Sequence, residues 1–187
     1  ISGVLIAGVG GATVHYPFSE MVIIDSMAIA LKMLVCVLAV VCMIYSRSYL
    51  LVRGIFKGEF FVLTLFATLG ILIMISANHL LLVYLGIELL SLSLYTLVAF
   101  DRDNPKSAEA AIKYFVLGAL ASGLLLYGMS MLYGATGTLN LNEISMLVSD
   151  GEAVVTLALF GLVFIVSGLA FKLGAVPFHM WVPDVYQ

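Results

Sequence analysis

The sequence predicts an all-α fold, a polytopic transmembrane helix bundle with one discontinuous helix near Lys172 and Pro177. Three observations predict it. Hydrophobic residues fill 63% of the 187 positions and charged residues only 10%. With a mean hydropathy of +1.18, that composition leaves too little polar surface for a water-soluble domain. Apolar runs long enough to cross a bilayer recur along the chain, separated by turn residues. Loops rich in Lys and Arg alternate with loops that have none, as expected when basic loops stay on the cytoplasmic side.

Residues 1–13 read as the end of a span, too short to cross alone, and the start at Ile1 rather than Met reads as a fragment. Gly8, Gly10 and Gly11 resemble the opening of a dinucleotide loop. Thr13 holds the third glycine position and no strand precedes, so they read as a packing surface. A bilayer core of about 30 Å needs about 20 helical residues. Spans are accordingly predicted over 27–45, 60–75, 79–100, 108–134 and 154–182, in a single membrane domain covering 1–187. The last stretch is about 44 Å long as one straight helix, more than one crossing uses. Pro177 removes a backbone donor and Gly174 loosens the same turn, which predicts a break shortly after Lys172.

Loop 46–59 carries Arg47, Arg53 and Lys57, and loop 101–107 carries Arg102 and Lys106. Both are predicted to face the cytoplasm. Loops 15–26, 76–78 and 135–153 carry neither Lys nor Arg and are predicted to face outward. Within the last of these, the apolar stretch 144–148 is expected to lie along the membrane interface.

A net charge of -3 with scattered cations gives no basic patch, so nucleic acid is excluded as a partner class. Cys36 and Cys42 lie six apart in one apolar run with no His or acid nearby, which suits neither a metal site nor a local disulfide. Iron–sulfur spacing is absent, as is a pair of buried histidines for haem, so no redox centre is expected in this chain. His15, His79 and His179 fall near span edges or breaks, where a ring nitrogen reaching water or a carbonyl is the ordinary expectation.

Ionisable residues within a bilayer are costly unless paired or hydrated, which makes each a functional candidate. Glu88 falls near the middle of its span, where it is either a relay acid or a neutral packing acid bonded to a neighbouring helix. Lys172 abuts the predicted break. Broken helices are tolerated at depth only beside protein or a hydrated cavity, so Lys172 reads as a proton carrier, or alternatively as a lysine snorkelling to headgroups. Lys113 follows Glu109 by four residues, so a surface ion pair rivals a relay role. Lys32 reads as a snorkelling anchor. Desolvation disfavours the charged form of an acid or a lysine and mutual pairing favours it, so opening and closing a Glu–Lys pair can move a proton.

The motifs Ser76-Ala-Asn-His79, Leu85-Gly-Ile-Glu-Leu89, Ala110-Ala-Ile-Lys-Tyr114, Phe171-Lys172 and the run from Pro177 to Gln187 carry a specific resemblance. From about Asp25 onward the chain resembles the subunit N family of NADH-quinone oxidoreductase, among the antiporter-like membrane subunits of respiratory complex I. Val182 departs from the Thr common there. The resemblance implies that Glu88 and Lys172 form a pair gating proton transfer and that Lys113 belongs to the same relay. It implies a second inverted repeat that this sequence lacks, and partners among the other membrane subunits of a bacterial inner-membrane complex. NADH, FMN, iron–sulfur clusters and quinone are expected in those partners, with no cofactor or metal here. Two other functions stay open: a cation/proton antiporter subunit of the same superfamily, and a structural membrane scaffold.

Overall fold

The computed structural model describes residues 15–151 and 153–186. The partial span at 1–13, its glycines and Gln187 lie outside the described residues. Five helices among the described residues are long and apolar enough to cross a membrane. The chain divides into two compact units, Ile1–Leu97 and Val98–Gln187.

The first unit contains α1 (Ser26–Val52), α2 (Gly58–Ile75) and α3 (Leu80–Val98). Asp25 starts α1 by accepting a hydrogen bond from the Ala28 amide at 2.7 Å, which satisfies one of the free donors of the first turn. The helix then runs past the predicted end at Tyr45. Nothing between Ser46 and Val52 breaks a helix, and the Ser46 hydroxyl bonds back to the Cys42 carbonyl at 2.7 Å. Gly54, at φ +70°, turns the chain. The predicted loop 46–59 is thus corrected to 53–57: Arg47 lies on α1, and Arg53 and Lys57 remain in the connection.

α2 and α3 pack antiparallel at a glycine contact. A Cβ on Gly70 would lie 2.7 Å from the Gly86 carbonyl oxygen, and one on Gly86 would lie 2.8 Å from that of Gly70. No larger residue permits this approach, the usual way helices associate in a membrane where hydrophobic burial gives no drive. The two predicted outer loops of this unit are knitted together. Ile23 N–H bonds the Ser76 carbonyl, Asn78 N–H bonds that of Met21, and Asn78 Nδ2 bonds that of Glu20, each at 2.9 Å. At this connection Ser76 Oγ and His79 Nδ1 are buried with no hydrogen-bond partner.

The second unit contains α4 (Pro105–Thr136), α5 (Leu141–Ser149), α6 (Val155–Lys172) and the single turn α7 (Val182–Val185). Asn104 caps α4 through the Lys106 amide at 3.0 Å, with Pro105 in the first turn, where its missing N–H costs nothing. Asn104-Pro105 is thereby a helix start as well as a turn, and Lys106 moves from the predicted loop 101–107 onto the first turn of α4. Gly137, at φ +75°, closes the far end, its N–H bonding the Tyr133 carbonyl at 2.7 Å. The apolar stretch at 144–148 is part of α5, capped by Asn140, with Ile144 buried and Met146 and Val148 exposed.

Buried residues of α4 form one stripe: Tyr114, Gly118, Ala121, Ser122, Leu125, Gly128 and Met129 recur at intervals of three and four. Their partner is α6, which runs antiparallel. A Cβ on Gly128 would lie 2.7 Å from the Gly161 carbonyl oxygen, and one on Gly168 would lie 3.0 Å from that of Ala121. Because Gly161 and Gly168 are seven residues apart, both fall on the same face of α6 and hold its whole length against α4.

Candidate functional site around the broken helix

Each candidate follows from this packing. In the first unit, Glu88 is half-buried on α3, eight residues and therefore about 12 Å from Leu80. By helical spacing Tyr84, Glu88, Ser91 and Tyr95 share one face, a polar stripe on a largely apolar helix. Ser91 and Tyr95 are both buried, so this face is turned into the protein.

In the second unit, Lys172 is the last residue of α6. Gly174, at φ +65°, ends the helix there, its N–H bonding the Phe171 carbonyl at 3.0 Å. The chain then turns through a cis Val176–Pro177 peptide to α7. Helix thus stops at Lys172 within the predicted stretch 154–182, and the lysine sits where the negative end of the helix dipole favours a cation.

The Lys172 Nζ donates to Ser122 Oγ at 3.0 Å. Ser122 is buried and lies within two residues of the middle of the 32-residue α4. The ammonium is therefore turned toward the interior of the helix pair, and a snorkelling geometry does not describe it. Sequence reasoning missed Ser122. A serine in an apolar helix carries no distinctive signal, and only its i−4 and i+3 neighbours on the buried stripe, Gly118 and Leu125, hint at a helix contact.

Lys113 lies on α4 with Nζ 2.9 Å from Glu109 Oε1, the i,i+4 pair expected from sequence. It also lies 3.1 Å from Asp184 Oδ2 on α7, beyond the break. Asp184 was legible only as part of a motif. Trp181, 7% exposed, donates its Nε1–H to the Phe171 carbonyl at 3.2 Å. Its ring stacks on Tyr114 at 4.4 Å between centroids. One aromatic contact thus joins the neighbour of Lys172 on α6 to the neighbour of Lys113 on α4. Lys32 is half-buried on α1, six residues from its start.

The chain is similar in sequence and fold to known proteins. The family model described as NADH:quinone oxidoreductase/Mrp antiporter, TM, matches residues 77–187. NADH-quinone oxidoreductase subunit N of Nitrosomonas europaea is 57% identical over 180 residues, which cover 96% of this chain and 37% of that protein. The subunit N of Thiobacillus denitrificans is 60% identical over 163 residues, covering 87% and 34%. The chain thus spans about a third of the length of these curated relatives. Among solved structures, a chain of respiratory complex I from Thermus thermophilus is similar with a TM-score of 0.70 at 34% identity, covering 100% of this chain and 38% of that one. A chain of an archaeal membrane-bound sulfane sulfur reductase gives a TM-score of 0.76 at 29% identity, with the same coverage. The chain belongs to the NADH:quinone oxidoreductase/Mrp antiporter membrane family.

Proposed function

We propose that this chain is part of a proton-translocating membrane subunit of NADH-quinone oxidoreductase, with Glu88, Lys113 and Lys172 as its relay. The observation that carries the reading is Lys172 itself, an ammonium at a helix break hydrogen-bonded to a serine near the middle of the adjacent helix. A lysine held there can exchange its proton where irregular backbone admits water, and its hydrogen bond fixes its direction. Glu88 supplies an acid near the middle of its own helix, and the resemblance implies that it gates Lys172.

The work is electrical. Moving one proton against a membrane potential takes about 2.3 kcal/mol per 100 mV. Oxidation of NADH by quinone supplies that energy in partner subunits, which in this reading hold the FMN and iron–sulfur clusters. The complex lies in a bacterial inner membrane, with 53–57 and 99–104 on the cytoplasmic side. Kinship with Mrp antiporters in the same family supports a second reading, cation/proton exchange without an electron donor.

The test uses the full-length protein in its assembled complex in membrane vesicles. K172A and E88Q are expected to depress NADH-driven proton uptake per electron by at least several-fold. Normal pumping in both overturns the relay, and sodium-dependent exchange without NADH replaces it with the antiporter. Lost assembly with normal pumping per electron would leave only a scaffold.

A further inference from the structure

Asp184 belongs to α7, beyond the helix break, yet its carboxylate meets Lys113 on α4 at 3.1 Å. Glu109 meets the same ammonium at 2.9 Å. The two carboxylates differ in what carries them. Glu109 and Lys113 are one turn apart on a single continuous helix, so their separation is indifferent to events at the break. Asp184 arrives with the segment that follows Lys172. That segment touches α4 at Tyr114 through Trp181, and two polar contacts lie on either side of this stack along α4, Lys172 with Ser122 from the end of α6 and Asp184 with Lys113 from α7. Those two contacts are nine residues apart on α4, about 13 Å along its axis.

Trp181 makes the segment a transmitting part. Its indole N–H holds the Phe171 carbonyl, next to Lys172, while its ring lies on Tyr114, next to Lys113. Trp181 is the one buried residue among 173–186, so the segment is anchored to the helix pair through its side chain.

We propose that Asp184 is a positioning residue for Lys113: displacement of the segment beyond the break moves the lysine between a two-carboxylate and a one-carboxylate environment. A carboxylate in contact favours the charged form of an ammonium, so the position of the segment sets how firmly Lys113 holds its proton. The break at Lys172 and the charge state of Lys113 are then coupled within one unit. This inference rests on the relay reading above and adds a residue that the relay does not contain.

The experiment measures NADH-driven proton uptake per electron in vesicles holding the assembled complex with full-length D184N, D184E, E109Q or K113A. The expected pattern is asymmetric. D184N lowers uptake at least five-fold, D184E restores at least half of it, and E109Q lowers it by no more than two-fold. Equal effects of E109Q and D184N overturn the proposal, because a purely electrostatic role makes the two carboxylates interchangeable. Normal uptake in D184N overturns it as well. Where D184N reduces assembly, D184E decides: uptake of at least half supports the proposal and a lower value overturns it. K113A separates the two ideas. If K113A pumps normally the relay reading fails, whereas loss in K113A with normal uptake in D184N removes only the role of Asp184.

Discussion

Lys172 Nζ bonds Ser122 Oγ at 3.0 Å, which ties the last residue of α6 to the middle of α4. The contact exists because glycines at 128, 161 and 168 bring the two backbones close enough for a short hydroxyl to reach an ammonium. Hydrogen bonds to a charged group contribute about 1.5–3 kcal/mol, equivalent to an equilibrium constant of about ten-fold or more. S122A is therefore expected to slow NADH-driven proton uptake about ten-fold while the assembled complex stays at its normal level. Uptake assayed beside immunoblotted complex checks this, and an unaltered rate removes Ser122 from the site.

Much of the fold was legible because a bilayer imposes length and apolarity on each span, and the break after Lys172 was legible because Gly174 and Pro177 have backbone chemistry of their own. The helix ends were not. Ser46 to Val52 includes Arg47, and charge was taken to mark a loop, yet the backbone there has no breaker before Gly54. Lys106 misled in the same way, since Asn104-Pro105 begins a helix as readily as it makes a turn. Among the candidates, Lys172 and Glu88 stood out by the cost of charge in lipid, and Lys113 by the resemblance. Ser122 and Asp184 become visible only when packing brings α4 beside α6 and α7, because a single serine and one acid in a Pro-Asp motif carry no depth or contact information.

The glycine contact between α4 and α6 predicts a sharp contrast between neighbouring positions. A Cβ at Gly128 collides with the Gly161 carbonyl oxygen at 2.7 Å and the Ile165 nitrogen at 2.8 Å, both backbone atoms that cannot swing aside. G128A is expected to destabilise the unit by about 1–3 kcal/mol, as overpacking does. Gly123 on the same helix has nothing within 4 Å of an added Cβ, so G123A gains about 1 kcal/mol of helix propensity. Thermal unfolding in detergent should lower the midpoint for the first variant and raise it for the second.

Asn78 predicts a local effect in the first unit. Its buried side chain holds the Glu20 carbonyl, and its amide holds that of Met21, so the segment before α1 is fastened to the connection between α2 and α3. N78A removes the side-chain bond and is expected to cost about 1 kcal/mol, a typical net value. Hydrogen exchange should accelerate at Ile23 and Ile24, whose amides bond Ser76 and His15, with little change in α6. Uniform acceleration along both units is the result that contradicts it.

Trp181 offers the most direct optical check, since it is the only tryptophan in the sequence. Its ring is 7% exposed, stacked on Tyr114 at 4.4 Å and tilted against Phe171 at 5.8 Å. The chain in detergent should therefore emit at the short wavelengths of an apolar site, with poor access to a water-soluble quencher. Y114A removes the stacked ring and leaves one face of the indole without its partner, so emission should shift red and quenching should rise. W181F would abolish the signal while keeping an aromatic ring at the position. It loses the Nε1–H bond to Phe171, for which a cost of about 1 kcal/mol is expected, whereas W181A opens a cavity costing about 3–5 kcal/mol. An ordering in which the two cost the same would mean that the hydrogen bond, rather than the packed ring, holds the segment beyond the break in place.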